Sequence, residues 1–254
     1  MTVMLRNDDM LSEAEIQEAR VDLAASFRWF ARLGMHEAVA NHLSVAVSKD
    51  GSKFLMNPRG RHFSRVRASE LLLLDSSDQA TLKRSDAPDP TAWFIHGRLH
   101  ALLPEARCVM HLHPVYTTAL AGLEDSTMYP IDQNTMRFYG RVATDPDFGG
   151  MALADEEGDR LAGLMGKKSI LMMGNHGLTV TAPSIATAFD EMVYFERAAQ
   201  TLMIAYSTGQ KLRVAPDDVA RTTAKQWLDY PHLADDHLDE VKAILDAEES
   251  DYRK

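Results

Sequence analysis

The stretch Cys108-Val109-Met110-His111-Leu112-His113-Pro114 carries two histidines, two residues apart, at the end of an apolar run. In a β-strand, side chains two apart share a face, so both imidazoles would reach one point. On a helix they would diverge. A third histidine, His176, follows the apolar run Ile170-Leu171-Met172-Met173 and precedes Gly177. Two strands ending at one place would gather His111, His113 and His176 around one divalent metal, for which neutral imidazole is a common ligand. Three such ligands leave a coordination position open, as a catalytic site requires. A metal held there would polarise substrate oxygens and stabilise an enolate, chemistry that serves retro-aldol cleavage, decarboxylation and dehydration alike. Zinc is the first choice, and manganese, iron or cobalt accept the same ligands. A pair of hydrogen-bonded strand-end histidines with no metal is the plainer alternative.

Other residues could take part. His96 and His100 lie four apart on one helical face and read as packing residues rather than as a second ligand pair. Arg59, Arg61 and Arg137 could grip a carboxylate or phosphate bidentately, or simply be solvated. Tyr139, Asp132, His42 and His96 are candidate proton carriers, each with an ordinary structural role beside it. The lone Cys108 allows no intrachain disulfide and reads as a small core residue.

The elements that would position these residues can be read from periodicity. Ser12-Glu13-Ala14-Glu15 is a capping-box pattern, and apolar residues from Ile16 to Phe30 recur at helical spacing. Residues 41–47 and 53–57 read as a strand hairpin around Lys49-Asp50-Gly51-Ser52. Leu71 to Leu74 reads as a further strand. A polar connection follows, expected to hold a short strand. Thr91 is expected to cap a helix reaching Pro104. Residues 109–112 read as the strand of the histidine pair and 116–123 as a helix. Residues 128–150 read as irregular, and 155–165 as a helix ended by Gly166. Strands at 169–173 and 178–181 flank Asn175-His176-Gly177. Pro183 is expected to open a long helix running to Gly209. Two more helices, near 216–229 and 234–249, are separated by Tyr230-Pro231. Mixed strands and helices favour one α/β domain with a largely antiparallel sheet.

The chain has 254 residues, 45% apolar and 25% charged, which is enough for a sizeable core without staples. The formal net charge of −10 argues against binding nucleic acid through a broad basic surface. No run of apolar residues is long enough for a membrane span, and Met1 to Ser12 does not read as a signal peptide. The expectation is a cytoplasmic protein acting on a small molecule, with neither nucleic acid nor membrane as partner.

Several landmarks, in order, resemble the class II aldolase and adducin family: Asn41-His42-Leu43-Ser44, Pro58-Arg59-Gly60, His111-Leu112-His113, Asn175-His176-Gly177, and the following helix with Ala188-Phe189 and Glu196. The resemblance covers residues 13–212, with 1–12 as a flexible leader and 213–254 as a C-terminal helical extension. It implies a three-layer α/β/α sandwich on a mainly antiparallel sheet, often assembled as a homotetramer. It implies His111, His113 and His176 as metal ligands and Asn41, Arg59, Gly60 and Thr91 as substrate-binding positions; Tyr139 and Asp132 are the catalytic candidates that the sequence itself offers. The details look more adducin-like. Where the aldolases carry an acid/base Glu, the matching Pro90-Thr91-Ala92-Trp93 places Ala92, and Arg59 stands where a small hydroxyl residue is usual. The implied function is a metal-dependent lyase, aldolase- or decarboxylase-like, on a small oxo/hydroxy acid or sugar-derived substrate. The alternative is a non-catalytic, adducin-like metal-binding module, for which actin binding is not favoured because a long basic tail is lacking.

Overall fold

A computed structural model describes residues 10–230 and 232–254. The first helix, α1 (Glu13–Arg32), starts on the expected capping box: the Ser12 hydroxyl accepts from the backbone N–H of Glu15, and the Glu15 carboxylate accepts from the N–H of Ser12. Most of the expected leader, residues 1–9, lies outside the described residues. Met10 and Leu11 are described, and they pair with Ser48 and Val47.

The strands are β1 (His42–Ala46), β2 (Lys53–Met56), β3 (Leu72–Asp75), β4 (Cys108–Leu112), β5 (Val142–Asp145), β6 (Ile170–Met173) and β7 (Gly177–Ala182). Among the described residues they form one sheet in the order β3-β2-β1-β4-β7-β6-β5. All neighbouring pairs are antiparallel except β5 and β6, which run parallel. The sheet is therefore mixed, mainly antiparallel as the resemblance implied.

Period-two alternation divides the sheet into two faces. Leu43 and Val45, Cys108, Met110 and Leu112, Ile170 and Met172, and Leu178, Val180 and Ala182 join the larger core. Helices α1, α3 (Val115–Ala121), α6 (Ile185–Ser207) and α8 (Leu233–Glu248) cover that face. On the other face, Val109, Leu171 and Met173 pack under α2 (Pro90–Leu102) and α5 (Asp155–Met165). Phe54, Met56 and Leu74 meet Ala92 and Trp93 of α2 in a third cluster. The result is a three-layer α/β/α sandwich. The two outer-layer helices α2 and α5 approach closely because Gly158 has no side chain: a Cβ there would lie 2.5 Å from the Phe94 carbonyl.

Several expectations need correction. The connection after β3 holds no strand; residues Gln79–Lys83 form a 3-10 turn. Asp89, not Thr91, caps α2, with Pro90 in the first turn, where its missing N–H costs nothing. Residues 128–150 are not irregular throughout: Asp132 caps the short helix α4 (Gln133–Arg137), and β5 follows. A four-residue, half-buried strand at a sheet edge has too little alternation to be seen in sequence. Ser184, not Pro183, is the cap of α6. The tail forms α7 (Asp217–Leu228) and α8; Pro231 lies outside the described residues. Leu238, Val241 and Leu245 of α8 and Tyr252 belong to the larger core, and Ser69 donates its backbone N–H to the Lys254 carbonyl.

Candidate metal centre and active site

β4 ends beside the start of β7. His111 is the next-to-last residue of β4, His113 lies just beyond the strand, and His176 sits in the turn between β6 and β7. Asn175, at φ 54°, makes that turn with the small polar side chain best suited to left-handed backbone. One ligating atom from each histidine lies within 4.8 Å of those of the other two. Nε2 of His111 and Nε2 of His113 are 3.0 Å apart.

The other ring nitrogens of the first two are occupied. His111 Nδ1 meets the Thr179 hydroxyl at 3.1 Å, and His113 Nδ1 meets Glu37 Oε2 at 2.5 Å. Holding the far nitrogen in this way fixes which nitrogen faces a metal and raises its basicity. Gly177 makes the close approach possible: a Cβ there would stand 2.6 Å from both the His113 ring and the Leu112 carbonyl. Burial holds His111 well below the ordinary histidine range and pushes His176 down to about 4. Neutral rings are the ligand form, so this donor set fits a divalent cation.

The three histidines open into a cavity of about 230 Å³. Asn41, Arg59 and Thr91, three of the expected substrate-binding positions, line it. Gly60 does not; at φ +76° it turns the chain next to Arg59. Phe148, Met151 and Ala152 form an apolar side. Arg59 is the one Lys or Arg among the described lining residues. Arg61 is engaged by Glu70, and Arg137 is buried against Asp190 and Glu191.

The structure does not bring Asp132 or Tyr139 to the three histidines within this chain. The Asp132 carboxylate accepts from the N–H of Thr135 at 2.8 Å as the cap of α4. Asp217, beside the Tyr139 phenol, holds it above the usual tyrosine range. Ala92 also faces elsewhere, packed with Phe54, Met56, Leu74 and Trp93. The carboxylate on α2 that reaches the cavity is Asp89, which accepts from the N–H and hydroxyl of Thr91. It lies three residues before the position that sequence matching singles out.

Sequence reasoning missed Glu37 and Thr179, and took Glu196 only as a landmark without a role. Thr179 was findable, because alternation along β7 puts it on the face of Gly177. Glu37 lies in an irregular segment before β1 and carries no local signal. Glu196 of α6 accepts from the backbone N–H groups of Tyr116 and Thr117 at 2.9 and 2.8 Å, capping α3 directly after the ligand strand.

The chain belongs to the class II aldolase and adducin N-terminal domain family, whose model matches residues 21–203. It is 32% identical over 217 residues to a protein of Caulobacter vibrioides provisionally named a class 2 aldolase, covering 85% of this chain and 83% of that one. It is 28% identical over 205 residues to the decarboxylase NovR of Streptomyces niveus, covering 80% and 75%. A crystal structure of an aldolase II superfamily protein from Pseudomonas syringae superposes with a TM-score of 0.85 at 28% identity, over 96% of this chain and 98% of the other.

Proposed function

We propose that this protein is a metal-dependent carbon–carbon lyase. It cleaves a small oxo- or hydroxy-acid, or a sugar-derived analogue, at the centre formed by His111, His113 and His176. The observation that carries this reading is the convergence of three imidazoles on a cavity, two with their outer nitrogens held by Thr179 and Glu37. A divalent ion bound there, zinc by first choice, supplies charge that stabilises an enolate developing on the substrate. Arg59 faces the same cavity and suits an anionic group. The Asn41 side-chain amide N–H can donate to a substrate oxygen, and the Thr91 hydroxyl, its proton given to Asp89, can accept from a substrate hydroxyl. The names of the relatives, one an aldolase by class and one a decarboxylase, support carbon–carbon cleavage without choosing between its two forms. Assembly as a homotetramer and a cytoplasmic location belong to the same reading. No helix among the described residues is long and apolar enough to cross a membrane.

The test is elemental analysis of wild type and His113→Ala, purified without added metal, followed by a screen of oxo-acids and sugar acids for cleavage or carbon dioxide release. Near-stoichiometric metal lost in the variant, with turnover in wild type, supports the lyase. Absence of metal from both proteins overturns it. Metal without turnover across the screen supports instead the non-catalytic, adducin-like module.

A further inference from the structure

A line of buried polar side chains leads away from the histidine centre between the sheet and α2. His42 and Ser44 are two apart on β1, on the face turned toward α2, and His96 and His100 are four apart on α2. Two residues of strand advance about 6.6 Å and four residues of helix about 6 Å, so the two pairs interleave like matching rungs. All four side chains are at least 95% buried.

The contacts are short and continuous. The His100 Nδ1 to Ala106 carbonyl distance is 2.6 Å, and His100 Nε2 to Ser44 Oγ is 2.7 Å. Ser44 Oγ to His96 Nδ1 is 2.6 Å, and His96 Nε2 to His42 Nδ1 is 2.7 Å. The line has only one consistent direction when its rings are neutral. A carbonyl can only accept, so His100 Nδ1 carries the proton. His100 Nε2 is then bare and accepts from the Ser44 hydroxyl. That hydroxyl has spent its one proton, so its oxygen accepts from His96 Nδ1–H. His96 Nε2 is bare in turn and accepts from His42 Nδ1–H. The last nitrogen, His42 Nε2, therefore carries no proton.

His42 lines the cavity. It stands directly opposite His111 across the β1–β4 ladder, ring centroids 4.9 Å apart. Its Nε2 makes no hydrogen bond to any described residue. Burial pushes His100 down to about 4 and holds His96 well below its ordinary range, so these two inner rings of the line are neutral at neutral pH.

We propose that His100, Ser44, His96 and His42 form a one-way hydrogen-bond relay, anchored on the Ala106 carbonyl, that fixes His42 Nε2 as a bare proton acceptor beside the metal centre. Resting on the lyase reading above, its role is to take the hydroxyl proton of a substrate that carries a hydroxyl group at the bond to be cleaved. The O–H bond breaks as an N–H bond forms at His42 Nε2. The oxygen's electron pair becomes the C=O π bond of the departing carbonyl product. The electron pair of the broken C–C bond stays on the other fragment, which takes a proton from water; the hydroxide left behind recombines with the proton on His42. His42 is thus the catalytic residue, and His96, Ser44 and His100 are positioning residues.

The experiment is long-range proton–nitrogen NMR of the zinc-loaded protein labelled with ¹⁵N-histidine, which distinguishes the two ring tautomers. The expected result is the Nδ1–H form for His42, His96 and His100. A proton on His42 Nε2, or coordination of that nitrogen to zinc, overturns the proposal whether or not the protein has activity. The Ser44→Ala variant should lose the single tautomer at His42, and Ser44→Thr should restore it. On any substrate that the wild type cleaves, His42→Gln should lose about 100-fold in kcat while retaining its metal, and Ser44→Ala should lower kcat with little change in KM. Unchanged kcat in His42→Gln overturns the catalytic role. If the tautomers are as expected and the wild type turns over nothing, the relay stands and the lyase reading fails.

Discussion

His42 and His111 are register partners on antiparallel strands, and their rings stack at 25° to one another. The same row continues to Thr179 on β7, which holds the far nitrogen of His111. One rung of the sheet thus runs from a cavity-lining imidazole through a candidate ligand to the group that orients that ligand. Strands fix such a row to within a hydrogen bond, so this part of the site stands on a rigid element, while His113 and His176 extend it from the adjoining strand end and turn.

Loss of an orienting partner should weaken the metal without removing a ligand. Glu37→Gln and Thr179→Val are each expected to lower metal affinity by about 10- to 100-fold, read by competition with a chromophoric chelator. His111→Ala should abolish stoichiometric binding.

Gly177→Ala should be costly beyond its size. The added methyl would meet the His113 ring and the Leu112 carbonyl at 2.6 Å, and at least the carbonyl is fixed by the β4–β7 ladder. The expected outcome is a lower melting temperature together with reduced metal content. A variant with wild-type metal content would show that the turn can shift without moving His113.

Ala92→Glu restores the side chain found in the sugar-phosphate aldolases, yet should not raise activity. Ala92 is 1% exposed among Phe54, Trp93 and their neighbours, so the new carboxylate would be buried without a partner. A loss of about 2–5 kcal/mol in unfolding free energy is expected, measured by urea denaturation. By contrast, Asp89→Asn alters the carboxylate that does reach the cavity and should change turnover.

Arg137→Met should destabilise the fold strongly. The guanidinium lies 2.6 Å from Asp190 and 3.0 Å from Glu191, all three nearly inaccessible, and its removal leaves these two buried carboxylates with only His237 beside Asp190 and Arg141 beside Glu191. About 3–5 kcal/mol is expected. Replacing Asp190 and Glu191 by Asn and Gln in the same chain should recover part of that loss.

Acid should destabilise the protein partly through His100. Its folded value is pushed down to about 4 by burial, against an ordinary value of 6.5. Between these values the unfolded chain binds a proton that the folded chain refuses, so the stability this group allows is complete above pH 6.5 and is lost as pH falls toward 4. The full loss is on the order of 3 kcal/mol by pH 4. Denaturation midpoints of wild type and His100→Asn should converge as pH is lowered from 7 to 4.5; parallel curves would refute this account.

The sequence by itself determined the family, the order of most elements and the three histidines. H-x-H at a strand end and Asn-His-Gly in a turn are local patterns, and alternation or helical spacing fixes which way their side chains point. It also named Asn41, Arg59 and Thr91, all of which line the cavity. What it could not decide was long-range pairing. Nothing local says that Glu37 reaches His113 across 76 residues, or that His42 and Ser44 interleave with His96 and His100. The placement of Ala92 and Asp89 likewise depends on how α2 is rotated over the sheet, which the packing of Trp93 and Ile95 sets. Side-chain types are written in the chain, but donor and acceptor partners are chosen only when distant elements close on one another and buried polar groups must be satisfied.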